Sequence, residues 1–300
     1  MSFFVYPLAA MTIRQLTASL TDSLQALYPE PEAAAIAGLV LEHVLTISPL
    51  QRRMQANEEV APAVARQVEA IQQRLLRHEP VQYVLGVAHF AGMDLEVTPA
   101  TLIPRPETEE LVQLIVEEQQ AHRIGLTLLD IGTGSGCIAL ALYQALKPQR
   151  AIAVDISVEA LNVARRNAVR YGCAVEFQQL DILQATPADI LPHSLQVLVS
   201  NPPYVLENER PLMRRNVLDY EPATALFVPD NDPLLFYRRI AELGRELLKP
   251  GGALYFEINE QYARELCQLL TAVGYQAIAP RPDLFGKDRM VRATWPGQAS

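Results

Sequence analysis

The amino-acid sequence predicts an α/β protein in which a doubly wound parallel sheet follows a small helical bundle and a β-hairpin linker. Three observations carry this prediction. Apolar residues recur at helical spacing over the first 80 residues, a glycine-broken stretch follows, and short apolar strands alternate with helical segments after Thr127. A chain of 300 residues is also long enough for one large and one smaller domain.

Residues 12–80 are predicted to form the helical domain. One helix is expected to end at Tyr28, a second to begin near Pro31, and a third to cover residues 62–78. Apolar residues three or four positions apart give each helix one inward face. The predicted inward positions are Leu16, Leu20, Leu24, Leu27, Ile36, Leu39, Val40, Val44, Val64, Val68, Ile71 and Leu75. This part of the sequence contains no glycine cluster and no polar residues at a spacing typical of a catalytic motif. The domain is therefore interpreted as a recognition or packing module.

Residues 81–103 are predicted to link the two domains as a β-hairpin. From Gln82 to Thr98, strand-like apolar residues are broken by Gly86 and by Ala91-Gly92. A helix is expected to begin within residues 104–109, where prolines precede acidic side chains. Proline presets φ at a first helical position, and carboxylates favour the positive end of the helix dipole.

Residues 104–300 are predicted to form the sheet domain. Strands are expected at residues 126–129, 151–154, 175–178, 197–200, 253–258 and 290–295. Helices are expected at residues 137–146, 158–170, 233–248 and 261–273. Because ligands of such sheets bind at the carboxyl ends of the strands, the loops after Leu129, Val154, Leu180 and Ser200 should surround one crevice.

Charge and composition weigh against several classes of protein. The net charge of -9 disfavours general nucleic-acid binding, which gains affinity from a basic face. No apolar run approaches the roughly 18 residues of a membrane span. Met1–Ala10 is apolar but lacks the basic region of a signal peptide, so it is given no structural role and a cytoplasmic location is expected. The three cysteines and five histidines lack ligand spacing, so no metal site is expected.

The most informative glycine cluster follows the first strand of the sheet domain. Its five residues are Gly132, Thr133, Gly134, Ser135 and Gly136. A dinucleotide fingerprint would read GxGxxG, whereas this turn reads GxGxG with Asp130 two positions before it. The pattern resembles the first motif of S-adenosylmethionine-dependent methyltransferases, in which the loop passes under the amino-acid end of the cofactor.

Two carboxylates end the following strands. Asp155 lies nineteen positions beyond Gly136 and can accept hydrogen bonds from both ribose hydroxyls of either ligand. Asp181, with Ile182, is expected near the adenine ring. A local role for Asp181 as a turn or cap residue is an equal alternative.

The segment Asn201-Pro202-Pro203-Tyr204 follows the fourth strand, at the same sheet edge as the glycine turn. The Asn201 side-chain oxygen and the Pro202 carbonyl can each accept one hydrogen of an NH2 group. Holding both hydrogens directs the nitrogen at the methyl donor, and Tyr204 can cover the planar face of the substrate group. Asn201 is therefore the predicted catalytic residue. The structural alternative is a rigid Asx-Pro turn that closes the strand.

Several motifs together resemble the release factor glutamine methyltransferases, the HemK/PrmC family, from about Pro80 to Val291. The matching stretches are residues 80–86, 103–109, 130–136, 154–157, 200–204, 220–222, 249–252 and 283–289. The resemblance implies a Rossmann-like methyltransferase sheet that binds S-adenosylmethionine and releases S-adenosylhomocysteine. The family often has an aromatic residue where this chain has Ile182.

By this resemblance, residues 132–136, Asp155, Ile182 and Asn201 would hold the cofactor, and Asn201 to Tyr204 would hold a glutamine amide. The family modifies the glutamine of the GGQ loop of peptide chain release factors, and its helical domain helps dock that substrate. The expected partner is therefore a release factor, with no membrane, no stable nucleic-acid binding and a monomeric chain.

Three alternatives stay open on the sequence. A ribosomal protein could supply the glutamine, or the substrate could be an adenine amine of DNA or RNA, since that NH2 group also offers two hydrogens. Under the nucleic-acid hypothesis, the basic residues Arg210, Arg214 and Arg215 would contact phosphates, whereas a solvated surface is the alternative and favoured interpretation of this cluster. The third alternative is a cofactor-binding module without activity.

Overall fold

The computed structural model describes residues 11–122 and 124–297, and residues 1–10, which received no structural role above, lie outside them. The chain divides into two compact units. One contains the described residues up to Gly86 together with Arg214–Tyr220, and the other contains Val87–Met213 with the described residues from Glu221 onward. No helix among the described residues is long and apolar enough to cross a membrane.

The helices begin and end close to the predicted positions in most cases. They are α1 (Ile13–Leu24), α2 (Glu30–Leu45), α3 (Pro49–Met54), α4 (Pro62–Leu75), α5 (Val81–Leu85), α6 (Pro106–Gln119), α7 (Cys137–Leu146), α8 (Val158–Tyr171), α9 (Arg215–Leu218), α10 (Ala223–Leu226), α11 (Leu235–Leu247) and α12 (Ala263–Val273). The short helix α3 was not predicted, because it buries no residue and so leaves no apolar pattern.

Within residues 11–122 and 124–297, the strands form one large sheet and two small ones. They are β1 (Val87–Phe90), β2 (Met93–Glu96), β3 (Thr127–Ile131), β4 (Arg150–Asp155), β5 (Val175–Gln179), β6 (Leu195–Ser200), β7 (Val205–Leu206), β8 (Phe227–Val228), β9 (Leu248–Glu257), β10 (Gln276–Pro282) and β11 (Asp288–Thr294).

The helical unit is built around the predicted leucine stripe. Thr12 caps α1 in a reciprocal box with Gln15, satisfying two backbone donors that the helix leaves open. Its core contains Leu16, Leu20, Leu24, Ile36, Val40, Val68, Ile71 and Leu75. The prediction for Leu39 is wrong: its side chain is 48% exposed, and Ala33, Ala37 and Leu41 bury the inner face of α2 instead. The two alanines allow neighbouring helices to pack close to α2. A pattern of large apolar residues does not indicate such packing.

A segment distant in sequence completes the helical unit. Residues Arg214–Tyr220, which contain α9, cluster with it. The Tyr220 hydroxyl donates to the Arg77 carbonyl at 2.9 Å, and Arg214 pairs with Glu32 at 3.1 Å. The unit is therefore discontinuous in sequence, which no local pattern indicated.

The predicted hairpin is present, but it begins later than expected. Val81–Leu85 is helical, so the prediction that strand-like residues begin at Gln82 is wrong. The hairpin consists of β1 and β2, with Val87 paired to Glu96. Gly86 adopts φ +72° and ends α5 in the left-handed conformation that glycine adopts without strain. The apolar residues of α5 face the helical core, and a single helical turn is too short to show its period.

Among the described residues, seven strands form the large sheet in the order β10-β11-β9-β6-β3-β4-β5. The neighbours β3, β4, β5, β6 and β9 pair in parallel, as predicted, whereas β11 and β10 are antiparallel. The edge strand β10 was not predicted. It contains Pro280 and Pro282, which cannot donate to a ladder, and most of its residues are exposed.

Both faces of this sheet are covered. One apolar core joins the sheet to α11 and α12, with Tyr237, Ile240 and Leu266 among its buried residues. The other joins it to α6, α7 and α8, with Leu111 and Leu140 fully buried. The prediction of a doubly wound sheet is confirmed.

Gly244 of α11 lies where an added methyl group would overlap the Tyr275 hydroxyl, which donates to the Ala241 carbonyl at 3.0 Å. We expect Gly244→Ala to lower the free energy of unfolding by about 1–3 kcal/mol through overpacking. Removing the obstructing hydroxyl with Tyr275→Phe should recover part of that loss in the double variant. Denaturant unfolding checks both effects, and strictly additive losses would contradict the proposed overlap.

Candidate functional site

The site lies where the strand order of the large sheet reverses. From β3 the chain adds β4 and β5 on one side and β6 and β9 on the other. In an open α/β sheet the carboxyl ends at such a reversal form the ligand crevice. Ile131 of β3 pairs with Ser200 of β6, so the glycine turn and the Asn201 segment leave the sheet side by side.

The glycine turn is held by the neighbouring strand. The backbone N–H groups of Gly132 and Thr133 donate to the Val154 carbonyl, at 2.9 Å and 3.1 Å. Gly134 adopts φ +56°, and a Cβ on it would meet no atom within 4 Å. The turn therefore exposes bare backbone on one side, where a ligand can approach closely.

Asp155 ends β4 beside this turn. One of its carboxylate oxygens accepts from Gly134 N at 2.8 Å and the other from Ser157 N at 2.9 Å. Burial raises the pKa of Asp155, and these hydrogen bonds act in the opposite direction. Each oxygen keeps a second lone pair, so the carboxylate can also accept hydroxyl groups of a ligand.

Asp130 lies beneath the turn and is completely buried. Thr133 Oγ1 donates to its Oδ2 at 2.7 Å, whereas Oδ1 has no hydrogen-bond partner. The pKa of Asp130 is raised from the ordinary 3.8 to about 7, mainly because the carboxyl group is buried. This carboxyl group supports the turn from inside.

A cavity of about 320 Å³ occupies the crevice. Small-ligand sites commonly range from about 300 to 1,000 Å³. Its walls include eight of the residues predicted from sequence: Gly132, Gly134, Asp155, Asp181, Ile182, Asn201, Pro202 and Pro203. Asp181 also accepts from Leu183 N at 3.0 Å and from Gln184 Nε2 at 2.6 Å, so it forms a local turn while it lines the cavity.

Four other residues predicted from sequence contact protein groups outside the cavity lining. The Thr133 hydroxyl points to Asp130. The Ser135 side chain is buried, and its carbonyl accepts from Asn167 Nδ2 at 3.0 Å. Gly136 caps α7, close to Leu140 and Ala164. The Tyr204 hydroxyl donates to Glu257 Oε1 at 3.0 Å. These four residues are not among those that line the cavity.

Sequence reasoning missed part of the lining. Leu102, Pro222, Phe227 and Phe236 add apolar surface to the cavity. Phe236 also packs against the core cluster that contains Ile182, so an aromatic ring is supplied by α11 although residue 182 is not aromatic. Residues 220–222 match one of the family stretches, but the sequence does not place Pro222 in the cavity wall, because most of the other lining residues lie far from it along the chain.

A partly buried ion pair holds two motifs together beside the cavity. Arg105 Nη2 contacts Glu221 Oε1 at 2.6 Å, and Ile103 N donates to Glu221 Oε2 at 3.2 Å. The Glu221 side chain is 1% exposed. Both motifs resemble family stretches, and the pairing gives them one structural purpose, which is to fix Pro222 in the cavity wall.

A chain of hydrogen bonds runs behind Asn201. Asn201 Nδ2 donates to Thr108 Oγ1 at 3.3 Å, and Thr108 Oγ1 donates to Glu257 Oε2 at 2.6 Å. Burial raises the pKa of Glu257, and the hydrogen bonds from Thr108 and Tyr204 act in the opposite direction. A carboxylate at the carboxyl end of an apolar strand was the signal that could have identified Glu257.

Within residues 11–122 and 124–297, no group of three or more His, Cys, Asp or Glu side chains could hold a metal ion.

A doubly wound sheet with this strand order and a glycine turn at the reversal is that of a Rossmann-like methyltransferase. Residues 122–280 match the family model described as a methyltransferase domain. Residues 15–86 match the model described as the PrmC N-terminal domain, so the likeness extends further toward the N-terminus than the motifs from Pro80 onward indicated. The catalytic domain of hMettl16, solved in complex with the MAT2A 3′UTR hairpin 6, shares the fold at a TM-score of 0.53 and 14% identity, covering 79% of this chain and 82% of that one.

Two curated relatives are more similar in sequence to this chain than the hMettl16 domain is. A release factor glutamine methyltransferase of Bacteroides thetaiotaomicron is 46% identical, over 94% of this chain and 99% of its own length. A second protein of that name, from Flavobacterium psychrophilum, is 37% identical over 95% of this chain and 100% of its own length. The chain belongs to the release factor glutamine methyltransferase family.

The Asp130 carboxyl group should make stability depend on pH. Because its pKa in the folded state is about 7, against an ordinary value of 3.8, its stabilising contribution is fully present below about pH 4 and is lost as the pH rises through 7. Relative to Asp130→Asn, the wild type should lose stability between pH 5 and 8 by at most about 1.4 kcal/mol per pH unit. Denaturant unfolding of both proteins across that range checks this, and parallel pH curves would contradict it.

Proposed function

We propose that the protein transfers a methyl group from S-adenosylmethionine to the side-chain amide nitrogen of a glutamine in a peptide chain release factor, at its GGQ loop. The observation that carries the proposal is the placement of Asn201 and Pro202 in the same cavity wall as the glycine turn and Asp155. The names of the relatives support the choice of a protein glutamine as substrate.

The residues of the cavity fit S-adenosylmethionine. The open backbone at Gly134 suits the amino-acid end of the cofactor, the Asp155 carboxylate suits the ribose hydroxyls, and Ile182 gives apolar contact to adenine. When bound, the cofactor supplies an activated methyl group on a sulfonium, and S-adenosylhomocysteine is the product. Asp181 would contribute to the same end of the cavity as Ile182.

The substrate amide would be held by the segment after β6. The hydrogen bond to Thr108 uses Asn201 Nδ2, which leaves Oδ1 to accept one substrate hydrogen. The Pro202 carbonyl would accept the other, with no backbone N–H at the prolines to compete. Pro203 would form the adjoining wall, and Tyr204 would support the segment through Glu257. Orientation and charge placement carry such a transfer, so no strong base is required.

The domain boundaries predicted from sequence, 12–80, 81–103 and 104–300, remain part of this proposal, with the helical domain docking the release factor. The arginines considered for phosphate contact all have carboxylate partners: Arg210 pairs with Glu207, Arg214 with Glu32 and Arg215 with Asp219. With a net charge of -9, these pairs support a protein substrate over nucleic acid. We infer that the enzyme acts as a monomer in the cytoplasm, where translation terminates.

Methyl transfer should be specific for the release factor. We would incubate the protein with labelled S-adenosylmethionine and offer, in parallel, release factor, release factor with the GGQ glutamine replaced by alanine, ribosomal protein and adenine-containing nucleic acid. Label should appear only on the release factor that retains the GGQ glutamine, and not on the alanine variant, the ribosomal protein or the nucleic acid. Label on ribosomal protein or nucleic acid alone would overturn the proposed substrate.

Asn201→Ala should lower the rate of methyl transfer by about 100-fold or more, because one of the two acceptors for the substrate NH2 group is lost. Cofactor affinity should change much less, since the glycine turn and Asp155 are untouched. Asn162→Ala is the matched control, since Asn162 is an exposed asparagine of α8 that accepts from Arg165. Single-turnover rates and calorimetric cofactor binding provide the two readouts. An unchanged rate in Asn201→Ala would contradict the proposed role.

A further inference from the structure

A buried carboxylate joins the two ends of the Asn201–Tyr204 segment. Glu257, the last residue of β9, is 1% exposed. Its Oε2 accepts from Thr108 Oγ1 at 2.6 Å, and its Oε1 accepts from Tyr204 at 3.0 Å. Each oxygen thus receives a hydroxyl hydrogen. Tyr204 is the last residue of the segment, and Thr108 of α6 contacts Asn201, its first residue.

The first of these contacts fixes the direction of the hydrogen bond that follows it. A threonine hydroxyl has one hydrogen and two lone pairs. Because the Thr108 hydrogen is given to Glu257, Thr108 can meet Asn201 only as an acceptor. The Asn201 amide must then turn Nδ2 toward Thr108, at 3.3 Å, and Oδ1 away from it.

The orientation of the Asn201 amide matters because its oxygen and its NH2 group are similar in shape, whereas the oxygen accepts hydrogen bonds and the NH2 group donates them. With Oδ1 toward the cavity, Asn201 accepts from a substrate NH2 group. With the amide reversed, Nδ2 would face that NH2 group, and two donors would oppose each other. An unmade hydrogen bond of this kind costs about 1–3 kcal/mol.

We propose that Glu257 is a positioning residue which, through Thr108, sets the orientation of the Asn201 side-chain amide and so makes the cavity an acceptor for a primary amide. This inference rests on the proposed function. Glu257 is not among the residues that line the cavity, and it would act through Thr108.

The second contact keeps the carboxylate in place. Tyr204 occupies Oε1, so Glu257 has both oxygens engaged and cannot turn away from Thr108 without losing a buried hydrogen bond. The Asn259 side chain adds a bond from Nδ2 to the Tyr204 carbonyl at 3.3 Å. The side chains on β9 and in the loop after it therefore hold the far end of the segment as α6 holds the near end.

The test compares two substitutions of one residue. Thr108→Val keeps the shape of the side chain and removes the hydroxyl, whereas Thr108→Ser keeps the hydroxyl. We expect Thr108→Val to lower the single-turnover rate of release factor methylation by about 30- to 100-fold while the dissociation constant for S-adenosylmethionine changes less than about threefold. Thr108→Ser should recover most of the rate.

Glu257→Gln tests the direction itself. The glutamine has one acceptor oxygen. When that oxygen stays with Tyr204, the glutamine NH2 group donates to Thr108, which releases the Thr108 hydrogen for Asn201 Oδ1 and reverses the Asn201 amide. We expect a loss of rate similar to that of Thr108→Val, again with cofactor affinity retained. Tyr237→Phe is the matched control, because the Tyr237 hydroxyl donates to the Glu257 backbone carbonyl at 3.1 Å and leaves the side-chain relay intact. Its rate should stay within about twofold of the wild type.

Two outcomes would overturn the proposal. Thr108→Val with the wild-type rate would show that the relay is not needed. A parallel loss of rate and cofactor affinity in Thr108→Val and Glu257→Gln would show that these residues only maintain the cavity. Failure of the proposed function is distinct, since the wild-type protein would then not methylate release factor at all.

Discussion

Strands β3 and β6 pair in parallel with Ile131 opposite Ser200, and the site depends on this register. The residues that follow each strand, Gly132 and Asn201, leave the sheet together. A Cβ placed on Gly132 would lie 3.8 Å from the Asn201 carbonyl oxygen, so the two segments are near van der Waals contact. A slip of one residue in β6 would turn its side chains to the opposite faces of the sheet and displace the segment.

The parts of the fold that follow from sequence are those with a long or fully buried apolar pattern. Helix α7 matches its predicted bounds, and the parallel strands lie within a few residues of theirs. The misses share a physical cause. Helix α5 is too short to show its period, β10 is an exposed edge with prolines, and Leu39 competes with small residues that pack closer. In each case tertiary packing decides the structure, and a local pattern carries little information about it.

The site divides in the same way. The turn at Gly134 and the carboxylate of Asp155 are recognisable because their chemistry is tied to strand ends close in sequence. Thr133 lies in the same motif, yet its hydroxyl serves the buried Asp130, since a motif specifies a backbone path and leaves side-chain direction to the packing below it. Thr108 and Glu257 are 149 positions apart, so their contact is visible only once the sheet has brought α6 and β9 together.

The two fully buried acids behind the site have different surroundings, and the difference explains what each contributes. Burial makes ionisation of Asp130 costly, and its support of the turn requires only that one oxygen accepts from Thr133. Glu257 accepts a hydroxyl hydrogen on each oxygen, one from Tyr204 at the far end of the Asn201–Tyr204 segment and one from Thr108 of α6, which contacts Asn201 at the near end. A buried polar group whose partners are all present gives a single arrangement of its neighbours. An apolar residue at the end of β9 could fill the same volume, but it would accept no hydrogen bond from Thr108 and so could not set the orientation of the Asn201 side-chain amide.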